Sequence, residues 1–277
     1  MGGKRPSGDE FAGRGGSAWA KAEITDPKEG SMKDTTAIVT GASRGFGRAI
    51  AAALVGAGAR VVGVARDRAA LDATADALGE RFEPYAADVR DFALPGQLFD
   101  AYRPRLVVLN AGARPLPRAL HQLTWEAFSS AWETDVRQAF AWNREALIAP
   151  LEPGSTVISV SSRASLSGSP LSGGYAGAKA AVRFVAGYAA DESTRAGLGI
   201  RFLSLLPDLT GETGLGGAAV DAYARRLGID AAEFVRRRGP EQLSPEQVGA
   251  AVLDLARGKG ENGGAYSLTA QAFEQLG

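Results

Sequence analysis

Short apolar runs alternate with helical patterns along most of the chain. Runs such as TAIVT at 36–40 and RVVGVA at 60–65 are short and rich in β-branched residues, which is typical of buried strands. Between the runs, apolar residues recur three and four positions apart, as at Phe46, Ile50 and Leu54, which predicts helices. On this pattern we predict strands at 36–40, 60–65, 82–87, 105–109, 156–160, 200–206 and 266–269. The alternation predicts an α/β fold with a doubly wound, mainly parallel sheet and helices on both of its faces.

Polar residues mark where several of these helices begin. Asp67 is placed to cap the helix after the second strand, and Ser244-Pro-Glu-Gln247 has the pattern of a capping box with proline at the first helical position. Thr124 is a candidate cap for one long helix. The apolar series of that helix is Trp125, Phe128, Trp132, Val136 and Phe140. We expect Trp125, Trp132 and Phe140 to lie in the core or at a subunit interface.

Composition limits the domain organisation and the classes of partner. The 277 residues suffice for one large α/β domain, which we place at 34–277, behind a Gly-rich and charged flexible tail at 1–33. The 31 basic and 31 acidic residues balance, which favours neither nucleic acid nor an anionic membrane as a partner. The chain has no cysteine and one histidine, His121, so we expect no metal site. No apolar run reaches ~18 residues and no signal core is evident, so we expect a cytoplasmic protein.

Polar or special residues follow several of the predicted strands directly. They are Thr40, Asp88, Asn110, Ser162 and Pro207. Parallel α/β sheets bind their ligands at the carboxyl ends of the strands, so we expect these residues to line one site.

Tyr175 and Lys179 are candidates for proton transfer. They lie four positions apart at the start of a helical pattern, and therefore on one face of the helix. A nearby ammonium favours the phenolate form of a tyrosine, and Ser162, at the end of the preceding strand, can fold back beside Tyr175. Together, the three groups could bind and protonate a carbonyl oxygen. The alternative is a Tyr–Lys pair on a solvated helix, which arises often by chance.

A glycine-rich segment follows the first strand. Glycines at 41, 45 and 47 allow a tight turn and a close approach of the backbone to a pyrophosphate, and the following helix offers unpaired N–H groups. The spacing is G-x-x-x-G-x-G, which differs from the more usual G-x-G-x-x-G of dinucleotide sites.

These motifs together resemble the short-chain dehydrogenase/reductase family over about residues 35–270. The matching residues are Thr40-Gly41-x-x-x-Gly45-x-Gly47, Asp88-Val89, Asn110-Ala111-Gly112, Ser162 and Tyr175-x-x-x-Lys179. The resemblance implies a seven-stranded parallel Rossmann-type sheet, a nicotinamide dinucleotide, and interconversion of a carbonyl and a secondary alcohol. It also implies a homodimer or homotetramer.

The resemblance assigns roles to individual residues. Tyr175 would be the general acid–base, Lys179 would assist it and bind the nicotinamide ribose, and Ser162 would hold the substrate oxygen. The cofactor-binding residues would be Gly41, Ser43, Arg44, Gly45, Phe46, Gly47, Arg66, Asp88, Val89, Asn110, Ala111, Gly112 and Pro207, with Tyr175 and Lys179. An acid at the end of the second strand favours NAD, whereas a nearby arginine favours NADP. Here Ala65 ends the strand and Arg66 follows, so we expect NADP(H) rather than NAD(H).

The sequence departs from the family pattern at Leu109, which replaces the first asparagine of the common Asn-Asn-Ala-Gly, and at two acidic residues. Asp135 stands where the family usually has the asparagine of a proton relay, and we count it among the candidate catalytic residues. Asp208 replaces a common glycine after Pro207. Both acidic residues leave open an alternative function, a catalytically impaired dinucleotide-binding sensor or scaffold. A serine hydrolase is a more distant alternative because no G-x-S-x-G elbow is present. The irregular segment 209–240 is expected to form a lid over the substrate.

Overall fold

The computed structural model describes residues 32–239 and 241–277. The tail expected at 1–33 lies outside the described residues up to residue 31. Met32 is buried in the core, and its N–H donates to the carbonyl of Ala57 at 2.9 Å.

The centre of the fold is one eight-stranded sheet. Its strands are β1 (Thr36–Thr40), β2 (Arg60–Ala65), β3 (Phe82–Ala86), β4 (Leu106–Leu109), β5 (Thr156–Val160), β6 (Arg201–Pro207), β7 (Ala265–Leu268) and β8 (Phe273–Leu276). Their order across the sheet is β3-β2-β1-β4-β5-β6-β7-β8. Neighbouring strands from β3 to β7 are parallel, which confirms the predicted Rossmann-type α/β fold. The antiparallel edge strand β8 was not predicted, because its FEQL sequence is half polar and mostly exposed.

Helices cover both faces of this sheet. They are α1 (Gly45–Gly56), α2 (Arg68–Leu78), α3 (Leu94–Tyr102), α4 (Trp125–Ala131), α5 (Arg137–Ile148), α6 (Ala164–Ser167), α7 (Tyr175–Ala196), α8 (Gly214–Leu227), α9 (Ala231–Arg238) and α10 (Pro245–Ala256), with a 3₁₀ turn at Leu120–Gln122. Apolar residues of α1, α2 and α10 pack on one face of the sheet, and those of α3, α5 and α7 pack on the other. The predicted caps are confirmed: Asp67 accepts from the N–H of Ala70, Thr124 from that of Ala127, and Ser244 forms the capping box with Gln247.

The helix predicted behind Thr124 differs from the expectation in two ways. A π-helical turn, Trp132–Val136, separates α4 from α5. In addition, of the two placements expected for the aromatic series, the core is excluded, since Trp125, Trp132 and Phe140 are 72%, 42% and 50% exposed, and a subunit interface stays a prediction. Their apolar period marks the outer face of the helix, and the aromatic residue buried against the sheet is Trp142.

Candidate active site

The glycine-rich loop joins β1 to the N-terminus of α1. Gly41 and Gly45 adopt positive φ angles of 69° and 53°, which a side chain would strain. A Cβ on Gly47 would lie 2.1 Å from the carbonyl oxygen of Gly41, so only glycine allows this helix to approach the strand so closely. Arg44 occupies the cap position without a capping side-chain hydrogen bond, and the first turn of α1 contains no acid. These features suit an anionic ligand such as a pyrophosphate.

Asn110 braces the loop from the end of β4. Its backbone N–H donates to Thr40 Oγ1 at 2.9 Å, and its side-chain Nδ2 donates to the carbonyl of Thr40 at 3.0 Å. The N–H of Ala111 also donates to Thr40 Oγ1, at 3.1 Å. The ends of β1 and β4 are therefore tied together at the floor of the cleft.

Charged side chains lie at the ends of β2 and β3. Arg90 forms an ion pair with Asp88, with 2.6 Å between Nη2 and Oδ2. Hydrogen bonds from Arg90, together with the positive charge of Arg66, lower the pKa of Asp88 to about 2. Arg66 is exposed, and its charge acts on Asp88. Val89 is buried beneath the pair, where its carbonyl accepts from the indole of Trp142 at 3.4 Å.

Two hydrogen bonds bring the start of α7 to the end of β5. Lys179 Nζ donates to the carbonyl of Val160 at 3.0 Å, and Ser161 Oγ donates to the carbonyl of Lys179 at 2.7 Å. Ser162 follows directly, and its Oγ accepts from the N–H of Ala164 at 3.1 Å. Tyr175 is the first residue of α7, and its ring centroid lies 5.8 Å from Lys179 Nζ.

Asp135 lies in the π-helical turn, and its carboxylate pairs with Lys179. Its Oδ2 is 3.0 Å from Lys179 Nζ, and both side chains are almost fully buried. Its Oδ1 accepts from the N–H of Ala113 at 2.7 Å. Burial acts to lower the pKa of Lys179, but the carboxylate of Asp135 and the phenol of Tyr175 outweigh it and raise that pKa above its ordinary value.

The segment after β6 comes close to the glycine-rich loop. Thr213 caps α8 by accepting from the N–H of Gly216, and its Cγ2 lies 3.6 Å from where a Cβ on Gly45 would be. At the end of β6, Asp208 accepts from Arg238 of α9 at 2.9 Å. Arg163, next to Ser162, donates its backbone N–H to Pro207 and a guanidinium N–H to Ser267.

The sequence patterns did not predict two residues that contact this site. Gln138 donates Nε2 to the carbonyl of Ala111 at 3.0 Å, and Ser161 ties α7 to β5. Gln138 lies three positions after Asp135, so helical spacing from that residue could have indicated it. No sequence pattern indicated Ser161, because the alternation along β5 does not show which of the neighbouring serines contacts α7. His121 is exposed in the 3₁₀ turn.

The fold is shared with known proteins. The family model for the short chain dehydrogenase matches residues 35–224. The chain belongs to this family. A relative, the uncharacterized short-chain type dehydrogenase/reductase y4eK of Sinorhizobium fredii, is 29% identical over 218 residues, which cover 76% of this chain and 81% of that protein. L-xylulose reductase of Bos taurus is 33% identical over 135 residues, covering 48% of this chain and 54% of the reductase.

A solved structure extends the likeness to nearly the whole short-chain dehydrogenase fold. The 3-ketoacyl-(acyl-carrier-protein) reductase from Brucella melitensis, complexed with NADH, superposes with a TM-score of 0.71 at 25% identity, covering 86% of this chain and 98% of the reductase. The protein is thus a short-chain oxidoreductase that acts on carbonyl or alcohol groups with a nicotinamide dinucleotide. Within the described residues, no helix has the length and apolar character needed to cross a membrane.

Proposed function

We propose that this short-chain dehydrogenase interconverts a ketone and a secondary alcohol with NADP(H), with Tyr175 as the general acid–base. The observation that carries the proposal is the junction of β5 and α7. There, the Lys179–Val160 and Ser161–Lys179 hydrogen bonds place Tyr175, Lys179 and Ser162 on adjoining segments at the carboxyl edge of the sheet.

The residues that would hold the dinucleotide lie along the same edge. Gly41, Gly45 and Gly47, with Ser43, Arg44 and Phe46 between them, would cradle the pyrophosphate at the N-terminus of α1. Asp88 and Val89 would contact the adenine, and Asn110, Ala111, Gly112 and Pro207 would border the nicotinamide side. When bound, the nicotinamide supplies or accepts the hydride.

In the reducing direction, Tyr175 donates its phenolic proton to the substrate oxygen. Ser162 holds that oxygen through its hydroxyl group. Lys179, whose ammonium lies on the same side of α7, stabilises the phenolate that remains until Tyr175 regains a proton from solvent. In the oxidising direction, the same groups remove the proton of the alcohol.

NADP(H) is favoured over NAD(H) by the charges at the ends of β2 and β3. Arg66 follows β2 directly, where a 2′-phosphate would lie, and Arg44 stands in the adjacent loop. Two guanidinium groups can form charge-assisted hydrogen bonds to a phosphate. No acid occupies the last position of β2, since that residue is Ala65.

We also propose that 34–277 acts as one catalytic domain and that 209–240 is its substrate lid. The closeness of Thr213 of this segment to the glycine-rich loop supports the proposal, because a Cβ on Gly45 would lie only 3.6 Å from Thr213 Cγ2. The subunits would associate through α4, α5 and α7, which carry exposed aromatic residues.

The test is oxidation of NADPH in the presence of a panel of ketones. We expect turnover, and we expect Tyr175→Phe to lower kcat by about 10²-fold or more while NADPH still binds. Tyr188→Phe is the matched control, since Tyr188 lies exposed on the same helix, and it should leave kcat unchanged. Cofactor binding without turnover, unaffected by Tyr175→Phe, would instead support a sensor or scaffold.

A further inference from the structure

Asp135 is a buried acid whose carboxylate is enclosed by backbone and side-chain groups of the site. Its side chain is 1% exposed, and Oδ1 already accepts from the N–H of Ala113. A Cβ on Gly112 would lie 2.8 Å from Oδ2, so the glycine makes room for the carboxylate. Among the described residues, Oδ2 accepts no hydrogen bond of ordinary geometry, and the ammonium of Lys179 at 3.0 Å is its counterpart.

Lys179 is buried as deeply as its partner. An ammonium has three N–H donors, of which one goes to the carbonyl of Val160. Asp135 Oδ2 lies 3.0 Å from Nζ as its ion-pair partner, and at least one N–H is left for another acceptor. Two titratable groups face Lys179: Asp135 from the π-helical turn and Tyr175 from its own helix. Glu133, on the same turn as Asp135, instead acts on Arg90.

We propose that Asp135 is a positioning residue for catalysis: as the buried counter-ion of Lys179, it keeps the ammonium charged beside Tyr175 and leaves an N–H for the cofactor ribose. The proposal rests on the function given above. Its physical reason is that burial disfavours a charged lysine, so that the pKa of an ammonium without a counter-charge would fall at this place. Asparagine at the same position could accept from Ala113 but could not neutralise the charge.

The first test measures stability against pH and needs no turnover. Thermal unfolding midpoints of the full chain are recorded from pH 7 to pH 10 for wild type, Asp135→Asn and Glu133→Gln. In Asp135→Asn, Lys179 is buried without a counter-charge, so the folded protein binds its proton more weakly than the unfolded chain does. Stability then rises with pH wherever the unfolded chain binds more protons.

We therefore expect Asp135→Asn to melt well below wild type at pH 7 and to approach it towards pH 10. Glu133→Gln, which removes a charge from the same turn, should run parallel to wild type throughout. A deficit of Asp135→Asn that stays constant across this range would mean that the carboxylate only fills space, and would overturn the proposal.

The second test measures the pH profile of kcat/KM for ketone reduction. In Asp135→Asn, the alkaline limb should move to lower pH by about one unit or more, because Lys179 loses its charge earlier. An unmoved limb would overturn the catalytic part of the proposal. If wild type reduces no ketone, the proposed function fails, while the stability measurement still decides on the ion pair.

A double variant covers the case in which Asp135→Asn does not fold. Asp135→Asn combined with Lys179→Met removes both charges, and removing a buried pair is tolerated better than leaving one charge alone. The double variant should have a higher unfolding midpoint at pH 7 than Lys179→Met alone, and should fold where Asp135→Asn does not. A double variant no more stable than Lys179→Met would contradict the proposed pairing.

Discussion

Arg66 and Asp88 follow neighbouring strands, and they carry opposite charges at the same edge of the sheet. β2 pairs with β3, so the residues that come after them meet at one edge of the sheet. Arg66 is exposed and contributes positive charge there, whereas Asp88 is held by Arg90. The proposed choice of NADP(H) therefore depends on Arg66, while the Asp88–Arg90 pair contributes to the stability of this edge.

We expect Arg66→Asp to weaken NADPH binding more than NADH binding, by tenfold or more, because the new carboxylate repels a 2′-phosphate and accepts from a ribose hydroxyl. Titration of both cofactors by fluorescence measures the two dissociation constants. Arg144→Asp, a change of the same charge at an exposed position of α5, should affect neither. Equal losses for the two cofactors would refute the role of Arg66.

Asp88 should make stability depend on pH in the acid range. Its pKa is about 2 in the folded protein, below the 3.8 of a free aspartate, because Arg90 donates to it. A lowered pKa stabilises the fold above about pH 4, and the gain is lost as the pH falls towards 2. Since the side chain of Asp88 is about a third exposed, we expect Asp88→Asn to lower the free energy of unfolding by about 1 kcal/mol at pH 7, measured by urea denaturation. The difference from wild type should be smaller near pH 2. Asp76→Asn, exposed on α2, is the control.

At the scale of elements, α1 depends on a close approach that only glycine permits. A Cβ on Gly47 would meet the carbonyl of Gly41 at 2.1 Å and Asn110 Nδ2 at 2.5 Å, so the loop and its brace would have to move. The helix N-terminus would then no longer face the position of the pyrophosphate.

Gly47→Ala should therefore lower the free energy of unfolding by about 1–3 kcal/mol and weaken dinucleotide binding at least tenfold. Gly56→Ala provides a control in the same helix, since nothing lies within 4 Å of its added Cβ. That variant should bind the dinucleotide normally. Chemical denaturation and cofactor titration give the two readouts, and normal binding by Gly47→Ala would contradict this account of the loop.

Local sequence patterns were enough to predict most strands and helices, but not the tertiary contacts between side chains of the site. β1, β5 and the start of α7 follow from apolar runs and helical spacing, which are properties of neighbouring residues. The Asp135–Lys179 ion pair joins residues 44 positions apart (179 − 135), and it depends on the π-helical turn that rotates Asp135 inward. The link from Asp208 to Arg238 is likewise a tertiary contact between a strand end and a lid helix.

At the scale of the whole molecule, two neighbouring helices carry aromatic residues on the outside. α5 packs beside α7, and the exposed residues include Phe140 on α5 and the stacked pair Phe184 and Tyr188 on α7. The two rings of that pair lie 6.3 Å apart and are 58% and 64% exposed. A surface of this kind is characteristic of a protein interface, and the apolar period of α4 and α5 follows the same outer side.

Phe184→Arg should reduce the oligomeric state, because burying an unpaired guanidinium at an interface is unfavourable. Sedimentation equilibrium should show a dimer or tetramer for wild type and a smaller species for the variant. Leu227→Arg is the matched control, an equally exposed apolar residue at the end of α8, and its mass should equal that of wild type. A monomeric wild type, or an unchanged mass for Phe184→Arg, would show that α7 is not the contact. α7 begins with Tyr175 and carries Lys179. If Phe184→Arg lowers both the mass of the assembly and the turnover rate, subunit association stabilises the helix that carries these two residues.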